Sequence, residues 1–142
     1  MTPQRVTLIT LGVADIARAK AFYGAMGWQP SADEGEVVFY QINGMVLGLF
    51  GLEPLARDQA RPDATLGTGA MSLAQNFTSD AEVDAAYALA LKAGATPLKA
   101  PEKVFWGGYS GYYADPDGHV WEVAHNPFWA LNDDGGLTLP VQ

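Results

Sequence analysis

The sequence contains no cysteine, few basic residues and no long apolar run. The absence of cysteine excludes disulfides, thiolate metal ligands and a cysteine nucleophile. Only 8 Lys and Arg residues stand against 16 Asp and Glu, a net charge of −8, so we expect no nucleic-acid partner. Because no apolar run is long enough to span a bilayer and the N-terminus lacks a signal-peptide pattern, we expect no membrane partner and a cytoplasmic location.

What the sequence does contain is an order of elements that occurs twice. In each half a strand precedes a helix, and two further strands joined by a tight turn follow it. The turn signals are Asn43-Gly44 in the first half and Asp117-Gly118 in the second. The predicted main strands are 5–13, 36–42, 45–50, 70–77, 109–114 and 119–125.

Each predicted helix has its own start and stop signals. Asp15 is placed to cap the first helix, and Gly27 to end it. In the second half, Ser79 with Glu82 three residues later forms a capping-box pattern, and Gly94 marks the end of the helix. Corresponding residues of the two halves are 64 to 74 positions apart, an offset that grows only in loops and therefore indicates a duplicated unit.

These patterns predict an α+β fold of two β-α-β-β-β modules. Short additional strands near 28–30 and 96–104 complete the modules, which give eight strands in all. We place all 142 residues in one domain. Its predicted parts are module one (about 4–51), an exposed and mobile linker (52–69), module two (about 70–129) and a tail (130–142) that is loose or docks on a partner subunit.

Glu122 is the most conspicuous functional candidate, because it is a carboxylate inside an apolar strand. Val120, Trp121, Val123 and Ala124 surround it. A buried charge is costly unless it is paired, protonated or bound to a metal. We expect Glu122 to be largely buried and to be available as a general base.

Two stretches resemble the vicinal oxygen chelate superfamily, which includes glyoxalase I, bleomycin-resistance proteins and extradiol dioxygenases. "LGVADIARAKAFYGAMGW" (11–28) resembles its first strand and helix, and "YADPDGHVWEVAHNP" (113–127) resembles its last hairpin. The resemblance covers roughly residues 5 to 129. It implies sheets that curl into a cup around a ligand cavity, with the helices outside.

The resemblance also implies where a metal would be held in metal-dependent members. The four family positions correspond to Leu8, Gly48, Ser72 and Glu122 of this chain. Only Glu122 is a good ligand, whereas a catalytic zinc ion typically takes three protein side chains. We therefore predict no metal and no other cofactor.

Alternation of side chains along each strand predicts which residues line the cup. His119 and His125 fall on the face opposite Glu122, so neither supplements it as a ligand. For strand 109–114 the pattern leaves both faces open. Trp106, on a loop beside two glycines, is either a rim residue or ordinary packing. The predicted ligand-binding residues are Leu8, Thr10, Gly48, Ser72, Asn76, Trp106, Tyr109, Tyr113 and Glu122.

Three functions remain open from the sequence. The first is a metal-independent protein, similar to the bleomycin-resistance branch, that binds a small apolar or cationic molecule. The second is a lyase, isomerase or dioxygenase of the same superfamily that uses Glu122 as a base or metal ligand. The third is a domain without activity in which Glu122 is structural. We also expect a homodimer, since the aromatic residues around 105–113 and 127–131 would otherwise be exposed.

Overall fold

The computed structural model describes residues 1–140, so the last two residues of the predicted tail lie outside it. The chain divides into two compact units, Met1–Gly67 and a second that begins at Thr68. Each unit contains one four-stranded mixed sheet and one long helix. The predicted α+β class and the two related modules are therefore confirmed, with the eight strands distributed over two sheets.

The first unit has the strand order β1-β4-β3-β2, with β1 parallel to β4 and the other pairs antiparallel. Its elements are β1 (Leu8–Val13), α1 (Ile16–Ala25), β2 (Ala32–Asp33), β3 (Val37–Ile42), β4 (Met45–Gly51) and α2 (Leu52–Asp58). The Asp15 side chain caps α1 by accepting a hydrogen bond from the Arg18 amide. Gly44 turns the β3–β4 hairpin with φ of 69°, a conformation that glycine adopts without strain.

The second unit has the matching order β5-β8-β7-β6, with β5 parallel to β8. Its elements are β5 (Ser72–Asn76), α3 (Asp80–Ala93), β6 (Thr96–Lys103), β7 (Tyr109–Ala114) and β8 (Val120–His125). Ser79 caps α3 through the Glu82 amide, and Gly94 ends the helix in the left-handed conformation. Both predicted signals are thus confirmed.

In each unit one face of the sheet packs on its long helix. Ala19 and Phe22 of α1 are buried over Leu47 and Leu49 of β4. In the second unit α3 contacts β6, β7 and β8. Its buried core consists of Val83, Tyr87, Ala90, Tyr113, Trp121 and Val123. The opposite face of each sheet is free of its long helix, and the candidate site lies on such a face.

Two local predictions were wrong. The segment 52–58 was expected to be a mobile loop but forms α2, whose Leu52 and Leu55 pack against β1 at Gly12. The short strand expected near 28–30 lies instead at β2, four residues later, where it pairs with β3. The tail is partly ordered, since Leu131 and Leu137 form an antiparallel bridge around a turn.

Candidate functional site

Glu122 lies at the centre of the face of the second sheet that points away from α3. Its neighbours Trp121 and Val123 are buried on the α3 side, and alternation along β8 directs Glu122 to the other side. Glu122 is half-buried. Ala74, which pairs with Glu122 on β5, is small and exposed.

Nine residues on β5, β8 and β7 surround this position in three rows; we call them the Glu122 face. The pairing of the strands sets the rows, because paired residues point to the same side of a sheet. The rows are Ser72–Val120–Ala114, Ala74–Glu122–Tyr112 and Asn76–Ala124–Ser110. The predicted site residues Ser72 and Asn76 thus share a face with Glu122. Ser72 is exposed and Asn76 is half-buried.

Tyr112 is the direct partner of Glu122 across the antiparallel pair. The two residues lie opposite each other on the same face of the sheet. Burial raises the pKa of Tyr112, and the nearby negative charge of Glu122 raises it further. The phenol therefore stays protonated at neutral pH.

Tyr109 and Tyr113, predicted to line the site, lie on the other face of β7. The Tyr109 hydroxyl donates to Asp84 of α3 at 2.6 Å. The Tyr113 ring is buried beside Tyr87 of α3, with ring centroids 6.5 Å apart. These two assignments are corrected, and Tyr112 replaces them. The sequence left this choice open because YSGYYA carries a tyrosine on both faces.

The α3 face carries a separate polar cluster at the start of that helix. Asp80 accepts hydrogen bonds from His125 at 2.8 Å and from Lys103 at 2.9 Å. The bond to His125 and then the bond to Lys103 lower the pKa of Asp80. The prediction that His125 points away from Glu122 is confirmed. At the end of β8, His125 stabilises the packing of α3 and is no part of the Glu122 face.

The remaining predicted residues of the first half lie on the matching face of the first sheet. Thr10 pairs with Gly48, and the Leu8 side chain also approaches Gly48. Gly48 was predicted to be a ligand-binding residue, but the ring of Phe39 lies 3.2 Å from where its Cβ atom would stand, so an aromatic side chain takes the space beside it. Alternation along β3 would have identified Phe39 as a residue of this face.

Trp106 lies in the turn between β6 and β7. Its ring folds over Gly108, where a Cβ atom would stand 1.8 Å from the ring. Tyr109 lies three residues before Tyr112, so this turn is about 10 Å along the strand from the row of Glu122. Trp106 is 38% exposed, and its packing on Gly108 explains the glycine pair beside it.

The residues at the family's metal positions do not fit a resident divalent ion. Leu8 and Gly48 have no donor side-chain atom, and Ser72 and Glu122 lie in different rows of the second sheet. Among residues 1–140, no group of three or more His, Cys, Asp or Glu side chains is placed to hold a metal. One carboxylate and one hydroxyl fall short of the donors that zinc requires. We derive no chemistry through a metal.

Within the described range, 1–140, no helix is long and apolar enough to cross a membrane.

Comparison with known proteins agrees with this architecture. Residues 5–123 match the Glyoxalase/Bleomycin resistance protein/Dioxygenase superfamily. The search of curated proteins found no match.

Solved structures are similar over nearly the whole chain. A glyoxalase-related enzyme from Fulvimarina pelagi is 37% identical, with a TM-score of 0.90 over 98% of this chain and 100% of the other. A lactoylglutathione lyase from Agrobacterium tumefaciens is 25% identical, with a TM-score of 0.69 over 92% of this chain and 100% of the other. A family enzyme from Burkholderia phytofirmans PsJN is 24% identical, with a TM-score of 0.73 over 84% and 96%. The chain belongs to the Glyoxalase/Bleomycin resistance protein/Dioxygenase superfamily.

Proposed function

We propose that the protein binds a small apolar or cationic molecule on the Glu122 face, without a resident metal. The observation that carries this proposal is the partner of Glu122. Within the part of the chain that the structure describes, the carboxylate lies opposite the neutral Tyr112 and forms no ion pair with a lysine or arginine. A half-buried carboxylate without a cationic partner is suited to receive a positive charge from a ligand.

The surroundings of Glu122 favour the same ligand class. Ala74 and Ser72 are small and exposed on one side, and they leave the carboxylate accessible. The Tyr112 ring on the other side adds an aromatic surface, which attracts cations as well as apolar groups. The net charge of −8 further favours the approach of a cation.

Calorimetric titration with two matched probes tests this proposal. Choline carries a quaternary ammonium group, and 3,3-dimethylbutan-1-ol is its neutral analogue of the same shape. If the ligand is cationic, choline should bind more tightly, and Glu122→Gln should weaken choline about tenfold, as expected for loss of a charge-assisted contact. The neutral probe should bind both proteins equally.

Glu36→Gln is the control, because Glu36 is an exposed carboxylate in the first unit. It changes the net charge by the same amount and should leave choline binding unaltered. Equal binding of both probes, insensitive to Glu122→Gln, would identify an apolar ligand site. Binding of neither probe, or an equal loss in both variants, would contradict a ligand site centred on Glu122.

An enzymatic role is the second candidate, favoured by the 37% identity with a glyoxalase-related enzyme. In this case Glu122 would abstract a proton next to a substrate carbonyl, with Tyr112 as its neighbour across the strand pair. Exchange of the carbon-bound protons of hydroxyacetone for deuterium, followed by NMR in D₂O, measures this step. Protein-dependent exchange that Glu122→Gln abolishes and Glu36→Gln preserves would support it. Exchange no faster than in buffer would leave the binding role as the proposed function.

A further inference from the structure

The first unit contains a cavity that is independent of the Glu122 face. It has a volume of about 190 Å³ and lies between β3 and the chain segment that leaves α1. Its walls are formed by Trp28, Gln29, Tyr40, Gln41 and Ile42. All five belong to the first unit, whereas the Glu122 face belongs to the second.

The cavity is partly open to solvent, and its volume suits an occupant with one ring. A cavity of about 150 Å³ is enough for benzene, whereas sites for drug-sized ligands measure about 300–1,000 Å³. A volume of about 190 Å³ therefore fits a single six-membered ring with one small substituent.

Packed aromatic rings fix the walls in place. The Trp28 and Tyr40 rings meet edge to face with centroids 5.8 Å apart, and Tyr23 contacts both of them. On the β3 side, the Gln41 amide donates to the carbonyl oxygens of Ile42 and Met45 at 2.9 and 3.0 Å. These contacts order the walls of the cavity, which reduces the ordering that a ligand must impose.

The Tyr40 hydroxyl indicates what the substituent must be. Tyr40 is 1% exposed, and within residues 1–140 its hydroxyl has no hydrogen-bond partner. Burial, and secondarily the charge of Asp33, raise the pKa of Tyr40, so the phenol remains a hydrogen-bond donor. A buried donor without an acceptor is unfavourable, and native structures rarely retain one unless a water or ligand satisfies it.

A ligand reaches this hydroxyl only when a side chain at the rim turns aside, because the oxygen exposes less than 1 Å². Gln29 is exposed at the mouth of the cavity, and Trp28 is half-buried there. An amide-bearing ligand also offers Gln29 a hydrogen-bond partner.

We propose that this cavity is a second ligand site, specific for a single aromatic ring that bears a carbonyl acceptor. The ring packs beside Trp28, and the carbonyl oxygen accepts the hydrogen bond of the Tyr40 hydroxyl. Such a site is separate from any activity at Glu122, and its occupant need not be the ligand of that face.

NMR titration of the full chain tests the site with benzamide as the probe and toluene as the control that lacks an acceptor. Trp28→Phe assigns the Trp28 indole resonance. Benzamide should shift this resonance in a saturable way. Tyr40→Phe, which removes only the hydroxyl, should weaken benzamide five- to tenfold, as expected for one lost hydrogen bond, and should not weaken toluene.

Glu122→Gln shows which of the two sites benzamide occupies. If benzamide binds in the cavity of the first unit, its affinity should be the same for wild type and for Glu122→Gln. Three results would overturn the proposal: no saturable shift of the Trp28 resonance, equal benzamide affinity in wild type and Tyr40→Phe, or loss of binding in Glu122→Gln alone. The second result would mean that an ordered water, rather than a ligand, satisfies the hydroxyl.

Discussion

Removing the Tyr40 hydroxyl should stabilise the protein. The unfolded chain hydrates this group, whereas the folded chain buries it without a partner among the described residues. A hydroxyl that loses water and gains nothing costs about 1–3 kcal/mol. Part of this cost is offset by contacts that the oxygen atom makes with its surroundings. We therefore expect Tyr40→Phe to raise the free energy of unfolding by about 1–2 kcal/mol.

Thermal and urea unfolding of the unliganded protein measure this change. For a chain of 142 residues, 1 kcal/mol corresponds to roughly 3–4 °C in Tm, so Tyr40→Phe should melt about 3–8 °C higher. The urea midpoint should rise without a change in slope, because the surface exposed on unfolding is nearly the same.

Tyr109→Phe is the matched control, because the chemical change is the same but the hydroxyl has a partner. It donates to Asp84 at 2.6 Å, so this variant should lower Tm. Destabilisation by Tyr40→Phe of 1 kcal/mol or more would refute the reasoning. It would show that the hydroxyl makes a favourable hydrogen bond in the unliganded protein.

Three further predictions concern charge, backbone packing and assembly. The pKa of Asp80 is lowered in the fold. The charged Asp80 side chain therefore stabilises the fold at pH values above its unfolded pKa, and this stabilisation is lost as pH falls through its folded pKa. Asp80→Asn should have a lower Tm than wild type at neutral pH, and the difference in Tm should disappear in acid. A gap that widens on acidification would contradict this assignment. Gly111→Ala should lower the free energy of unfolding by about 1–3 kcal/mol, because the added Cβ atom would stand 2.8 Å from two backbone atoms of β6. Gly24→Ala is the control: its added Cβ atom has nothing within 4 Å among the described residues, so this variant should raise Tm slightly. Finally, we predict a homodimer that covers Phe105 and Phe128, which are 102% and 69% exposed in the single chain. Sedimentation at micromolar concentration should find a dimer, and a monomer would contradict this prediction.

The sequence alone determined the elements and most of their ends. Helix caps such as Asp15 and Ser79 act on amides two or three residues away, and Gly44 and Gly118 supply positive φ where the hairpins turn. Such signals are local, so they can be found without knowing the fold. Alternation along β8 likewise placed Glu122 and His125 on opposite faces, because neighbouring Trp121 and Val123 mark the buried side.

Only the tertiary structure decided what each strand presents to its neighbours. Both faces of β7 carry a tyrosine, so the hydrophobic pattern of this strand does not show which face is buried. The pairing of β7 with β8 places Tyr112 opposite Glu122. The unpartnered hydroxyl of Tyr40 is also invisible in the sequence, because it results from side chains of α1, the following segment and β3 packing together. Long-range pairing and packing set these features, and no short stretch of residues encodes them.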